Sequence, residues 1–211
     1  MSGLTLERVS ETFMDVLREI GNIGAGNAMT ALSQMLQCKI DMYVPQVKLL
    51  EFSEVGSVMG SEEDIMVGVY LAVEGDISGS MMFLSKMETA RYLVDKVMMG
   101  MSLGGPEFTD MEKSAMQEIG NIITGAYLNA ISSLTNLKIF SSPPELTIDM
   151  AGAILSVPAI EFGSLGDKLL LIQSHFHDEV ERDGFFILIP DLDSYGKILE
   201  ALGLSLDAMT N

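Results

Sequence analysis

Two segments of the chain carry the same pair of side chains, a carboxylate followed three residues later by a carboxamide. The pairs are Glu19 with Asn22 and Glu118 with Asn121. A carboxamide can orient a water molecule without carrying charge, and orientation lowers the entropic barrier when the substrate brings its own electrophile and metal ion. A carboxylate can anchor a cation on a partner through a charge-assisted contact. This chemistry suits a protein substrate that already carries a reactive phosphoryl group.

Each pair belongs to a polar stripe with the spacing i, i+4, i+7, which places the side chains on one face of a helix. Asp15 begins the first stripe and Ser114 begins the second. For a single Glu-x-x-Asn a solvated helix face is the alternative, because this spacing is common. Duplication argues against it, since neighbouring surface positions change between the copies, as in Arg18 against Gln117, whereas the glutamate and asparagine are kept.

Other reactive groups are scarce in these 211 residues. The chain has one cysteine, Cys38, and two histidines, His175 and His177, which alternate across a predicted strand instead of following the spacing of a metal site. The net charge of -18 disfavours binding to nucleic acid or to anionic membranes. No apolar run approaches the ~18 residues that span a bilayer, and the first residues lack a signal sequence. We predict a cytoplasmic protein without structural zinc.

The chain repeats itself at an offset of 99 residues. Between Asp15 and Pro45, 11 of 31 positions are identical to those 99 residues later. Each copy begins with an amphipathic helix whose apolar residues follow the 3-and-4 spacing, and Thr109 with Glu112 forms a capping-box pattern before the second. The apolar positions are Phe13, Val16, Leu17, Ile20 and Ile23 in the first copy and Met111, Ala115, Ile119 and Ile122 in the second.

After each of these helices the pattern changes to that of strands. The predicted strands are 39–50, 65–73 and 77–84 in the first half and 137–140, 147–157, 168–177 and 184–189 in the second, and closing helices are predicted at 87–99 and 191–202. Gly104-Gly105-Pro106 separates the halves. We therefore predict an α+β fold of the two-layer α/β kind, with helices packed on one face of an antiparallel β-sheet. Its pseudo-twofold duplicated halves, 1–103 and 104–211, form one intertwined domain.

Glycines accompany both stripes. They are Gly21, Gly24 and Gly26 in the first copy and Gly120 and Gly125 in the second. Each costs about 1 kcal/mol in a helix interior, so something must compensate. Either another element packs closely on the helix backbone, which we favour for Gly26 and Gly125, or a partner approaches the surface next to the motif asparagines.

The pattern Asp/Ser-x-x-x-Glu-x-x-Asn, followed by 22 residues and a proline, resembles the signature of the CheC/CheX/FliY chemotaxis phosphatases. Both copies fit it, with Asp15 and Pro45 as the supporting positions of one and Ser114 and Pro144 as those of the other. Two intact motifs in a chain of this length are most similar to the CheC type. The resemblance implies hydrolysis of the aspartyl phosphate of CheY, a two-component response regulator.

Within that resemblance each side chain has an implied role. Asn22 or Asn121 enters the regulator's active site and orients the attacking water, while Glu19 or Glu118 pairs with a lysine there. The Mg²⁺ of the reaction belongs to the regulator, so this chain needs no cofactor. The receptor deamidase CheD is a further implied partner, and we predict a monomer because the two halves already pair within one chain. The alternative is a non-catalytic adaptor that binds CheD or the flagellar switch through the same stripes.

Overall fold

The computed structural model describes residues 11–36, 41–102, 104–105, 107–162, 168–177 and 181–203, and Cys38 lies outside them. The described part of the first half contains α1 (Glu11–Leu36), β1 (Asp41–Glu51), α2 (Phe52–Met59), β2 (Ile65–Gly75), β3 (Gly79–Lys86) and α3 (Met87–Val97). The described part of the second contains α4 (Asp110–Thr135), β4 (Ile139–Ser141), β5 (Glu145–Met150), α5 (Ala151–Phe162), β6 (Lys168–His177), β7 (Glu181–Pro190) and α6 (Leu192–Ala201). The two halves have the same order of elements, except that two short strands, β4 and β5, take the place of β1 in the second.

The strands form one antiparallel sheet, which confirms the predicted α+β class. Six of the seven described strands follow the order β1-β6-β7-β3-β2-β4, and the seventh, β5, pairs with β2. Strands β4 and β5 correspond together to β1. Pro143 and Pro144 separate them because proline has no N–H to donate to a ladder. In β1 the register against β6 shifts between Tyr43 and Gln46, on either side of Pro45.

Helices cover both faces of the sheet. Successive side chains of a strand point to opposite faces, so Met66 and Val67, which are both fully buried, belong to different cores. Val67 packs in the core formed with α1, α3, α4 and α6, whereas Met66 packs in the core formed with α2 and α5. The sequence prediction had helices on one face and omitted this second helical layer. None of the described helices is long and apolar enough to cross a membrane.

The predicted strand 147–157 is wrong beyond Met150, where α5 begins. Met150 pairs with Ile65, the first residue of β2, so a longer β5 would have no strand beside it. The chain turns instead, and the amides of Ala151 and Gly152 donate to the carbonyls of Asp64 and Glu62. An apolar helix that covers the sheet therefore replaces the predicted end of the strand.

The two long helices that carry the motifs, α1 and α4, each contain 26 residues and begin 99 residues apart. Leu17 and Ile20 share a small cavity with Ile131, and Gly24 lies against Tyr127. Because positions that advance along α1 meet positions that recede along α4, the helices pack side by side and antiparallel. They lie on the sheet with their polar stripes away from the shared core.

The predicted capping box fixes the start of α4. Thr109 accepts a hydrogen bond from the Glu112 amide, and the Glu112 carboxylate accepts one from the Thr109 amide in return. Glu112 is fully buried, and its carboxylate also accepts from the hydroxyl of Ser102 in the connection between the halves. These bonds satisfy backbone groups that a helix start leaves open, and they tie the connection to the helix that bears the second motif.

Candidate functional site

The first motif lies on the solvent side of α1. Asp15, Glu19 and Asn22 are exposed, whereas Leu17 and Ile20 between them are buried in the core shared with the sheet. The spacing of the polar residues and that of the apolar residues thus divide the helix into two faces. The carboxylate and the carboxamide project together from a convex surface.

The second motif has the same arrangement on α4. Ser114 and Glu118 are exposed and Asn121 is half-buried, while Met116 and Ile119 are fully buried. Since the pairs are on convex surfaces, only a partner with a concave site can surround either asparagine. The geometry therefore suits a protein partner that brings the rest of the reacting groups.

The two motif helices pack on different strands of the sheet. Helix α1 packs on β1, the strand at one edge, and α4 contacts β2, β3, β4 and β5. The two pairs also belong to antiparallel helices. Each carboxylate–carboxamide pair is thus built from a single helix.

The side chains next to the two pairs make different contacts. Arg18 lies beside Asp15, with 2.5 Å between guanidinium and carboxylate, and both side chains are largely exposed. In the second copy the Ser114 hydroxyl donates to the carbonyl of Asp110, one turn earlier in the helix. The Gln117 amide donates to the carbonyl of Pro144 at 3.0 Å. An ion pair in one copy is thus replaced by a link to the sheet edge in the other.

The Gln117 contact places one of the supporting prolines beside its motif. Pro144 lies between β4 and β5 and is half-buried, 27 residues along the chain from the glutamine that holds its carbonyl. Pro45 lies within β1, the strand on which α1 packs, and its side chain is outside the described residues. The proline of the second copy is therefore a neighbour of its motif helix by direct contact.

The glycines beside the stripes differ in their surroundings. A Cβ at Gly24 would clash with the ring of Tyr127, and one at Gly120 would come within 2.6 Å of Val69. Gly24 therefore allows the close contact between α1 and α4, and Gly120 allows the close contact between α4 and β2. At Gly26 and Gly125 a Cβ would meet no atom of the described chain within 4 Å. The interpretation that Gly26 and Gly125 serve close packing is therefore wrong for the described part of the chain.

Two further features bear on the location of the site. Within the described ranges, no group of three or more His, Cys, Asp or Glu side chains is arranged to hold a metal ion. A groove of about 380 Å³ lies between β5 and α5, with Tyr70, Glu145, Asp149 and Ile154 in its walls. Tyr70 and Ile154 pack in the core of the face covered by α2 and α5, so the groove is remote from the motif stripes.

The sequence profile of the CheC-like family matches residues 14–49 and 111–148, the two segments that contain the motifs and their prolines. The chain is 36% identical over 208 residues to the CheY-P phosphatase CheC of Bacillus subtilis, an alignment that covers 94% of this chain and 97% of that protein. The chain belongs to the CheC-like family. This agrees with the family that the motif spacing indicates.

Solved structures of related proteins share the fold. The FliY structure from Thermotoga maritima has a TM-score of 0.74 at 22% identity and is matched over 92% of this chain and 98% of that one. The middle domain of FliM from H. pylori has a TM-score of 0.67 at 14% identity, over 92% and 99% of the two chains. At these identities the similarity establishes the architecture, and the activity has to be argued from the motif helices.

Proposed function

We propose that this chain hydrolyses the aspartyl phosphate of phosphorylated CheY at two sites, Glu19/Asn22 and Glu118/Asn121. The observation that carries the proposal is the recurrence of one carboxylate–carboxamide pair on the solvent face of two equivalent helices. The relative in Bacillus subtilis, named a CheY-P phosphatase, supports the choice of substrate.

The proposed reaction needs little from this chain beyond position and polarity. The carboxamide of Asn22 or Asn121 accepts a hydrogen bond from a water molecule and holds it in line with the bond between phosphorus and the aspartyl oxygen. The water oxygen bonds to phosphorus, the aspartate leaves as a carboxylate, and inorganic phosphate forms as protons pass to solvent. Mg²⁺ on the regulator neutralises the charge on the phosphoryl group.

The glutamate of each pair sets the register of docking in this proposal. Glu19 and Glu118 lie one helical turn before their asparagines, on the same exposed face. A lysine in the regulator's active site forms a charge-assisted contact with this carboxylate, and the contact fixes how far the asparagine enters. Since each motif is built from one helix and the two helices are antiparallel, we expect each site to work alone.

The test is the decay of phosphorylated CheY with catalytic amounts of this protein. We expect Asn22→Ala/Asn121→Ala to lose at least about 100-fold in kcat, because an unoriented water restores the entropic barrier. The matched control is Asn27→Ala/Asn129→Ala, which removes exposed asparagines from the same two helices away from the motif positions. The control is expected to keep wild-type kcat, and all variants are expected to keep the wild-type melting temperature.

The same experiment distinguishes the phosphatase proposal from the adaptor alternative. A similar fold occurs in the FliM middle domain, so the fold alone does not decide between docking and catalysis. If the wild-type chain binds phosphorylated CheY without accelerating its decay, the stripes serve docking only. If Asn22→Ala or Asn121→Ala alone abolishes turnover, the two sites are not independent.

CheD binding and a monomeric state remain predictions. Val157 and Ile160 of α5 are exposed apolar residues on the sheet face opposite the motif helices, where a second protein can bind without covering either motif. We expect Ile160→Glu to weaken CheD binding in a titration and to leave phosphatase activity unchanged. Light scattering of the purified chain tests the monomer, and a dimer mass would contradict it.

A further inference from the structure

Each polar stripe continues for one more turn beyond its asparagine, and a glycine occupies the next position in both copies. Gly26 follows Asn22 by four residues, and Gly125 follows Asn121 by four residues. The spacing i, i+4 places each glycine on the same face as the asparagine, about 6 Å further along the axis. The stripes are therefore four positions long, and both end in a residue without a side chain.

The described part of the chain gives no structural reason for glycine at these two positions. Glycine is less favourable in a helix interior than any residue except proline, and both positions lie well inside 26-residue helices. No atom of the described chain would touch a Cβ at either position, in contrast to Gly24 and Gly120, where a side chain would clash. Neither residue has the positive φ that favours glycine. An unfavourable residue is thus present twice where the described fold has no use for it.

We infer that Gly26 and Gly125 are contact positions for the response regulator, whose surface packs directly on the helix backbone there. The inference rests on the proposed function. When Asn22 or Asn121 enters a concave active site, the rim of that site contacts the same helix about one turn beyond the asparagine, at the glycine. A glycine allows the regulator surface to contact the helix backbone directly. A Cβ would increase the distance between the two proteins and so move the carboxamide away from the reacting atoms.

The contact has two effects on the reaction. It sets how deeply the asparagine enters, because the helix backbone and the rim of the partner site meet at the glycine. It also excludes regulators whose active-site rim carries side chains too large to fit against the helix, so these glycines contribute to the choice of substrate. A displacement of about 1 Å at the reacting centre is enough to lower a rate about 100-fold.

The experiment is the double substitution Gly26→Ala/Gly125→Ala, with the melting temperature and the hydrolysis of phosphorylated CheY as readouts. Because alanine favours the helix and has free space at both positions, we expect the melting temperature to rise by about 2–4 °C per substitution. We expect kcat/KM to fall at least about tenfold. The matched control is Gln34→Ala/Ser133→Ala, at equivalent exposed positions two turns further along the same helices. It is expected to leave kcat/KM unchanged.

The outcomes separate this inference from the function on which it rests. A more stable variant with reduced kcat/KM supports the contact. Unchanged kcat/KM overturns it while the phosphatase proposal stands, and a parallel loss of melting temperature and activity also overturns it, because the glycines would then serve the fold. If the wild-type chain does not hydrolyse phosphorylated CheY, the proposed function fails first and the inference fails with it.

Discussion

The residue immediately before each motif glutamate distinguishes the two copies chemically. Arg18 is an exposed cation paired with Asp15, and it lies one turn before Asn22. Gln117 is neutral, and its side-chain amide donates a hydrogen bond to the carbonyl of Pro144. An exposed ion pair contributes little to stability, so Arg18 is available to act on a partner. In the proposed function that partner carries a phosphoryl group, which a nearby cation attracts.

Arg18→Gln gives the first copy the residue of the second. In the Asn121→Ala background, where only the first site works, we expect KM to rise about two- to fivefold at low salt and kcat to stay unchanged. The difference should decrease at high salt, because salt screens exposed charges. In the Asn22→Ala background the same substitution should change nothing, since the working site is on the other helix. An equal effect in both backgrounds would contradict a local role for Arg18.

The placement of the motif side chains could be predicted from their spacing, but the surroundings of the glycines could not. Spacing along a helix fixes which residues share a face, and Glu19 and Glu118 are exposed as expected. Which glycine is covered depends on where α1 and α4 cross. The repeat gives no guide there, because Gly24 corresponds to Ile123 of the second copy, and the large and small residues of the contact are distributed differently in the two copies.

Among the elements, α6 depends on its N-cap residue, Asp191, for its junction with the sheet. Asp191 accepts a hydrogen bond from the amide of Ser194 at 2.7 Å and another from the hydroxyl of Ser78, which lies just before β3. Partial burial raises the pKa of Asp191, but the hydrogen bonds from Ser78 and Ser194 and the charge of Lys197 outweigh it. The net pKa is lower than that of a free aspartate. The folded state therefore favours the ionised form.

Asp191→Ala should lower the free energy of unfolding by about 1 kcal/mol at pH 7, the usual cost of losing a helix cap. A lowered pKa contributes stability above the pKa of the unfolded chain, about 3.9, and loses it as the pH falls through the folded value. The difference from wild type should therefore shrink below about pH 4, as measured by urea unfolding at pH 7 and pH 3. Asp193→Ala, in the first turn of the same helix, is the control. An effect of equal size at both pH values would contradict the role of the charge.

Elements with a strong local pattern were predicted well, and those that depend on tertiary partners were not. The start of α4 was readable because Thr109 and Glu112 bond to each other within four residues. Helix α5 was missed because its residues show no helical period, and its start depends on where β2 ends. Met111 was predicted on the apolar face of α4 and is 70% exposed, whereas the next residue, Glu112, is the buried one because it belongs to the capping box.

For the whole molecule, the arrangement of the strands couples the two halves. Strands β6 and β7 of the second half lie between β1 and β3 of the first, and β2 of the first half pairs with β4 and β5 of the second. Strand β1 pairs only with β6 in the described sheet. The motif helices also pack on each other, so neither half has a complete core of its own.

A chain split between Gly104 and Gly105 tests this coupling. Residues 1–104 alone would lose β6 beside β1, β7 beside β3 and the contact between α1 and α4, so we expect this fragment to show no cooperative thermal unfolding. Mixed with residues 105–211, it should regain a folded complex and phosphatase activity, because both sides of every lost pairing are then present. The intact chain should unfold in a single calorimetric transition. A fragment that folds alone with a melting temperature near that of the intact chain would show two separable domains, and each motif helix would then rest on a core of its own.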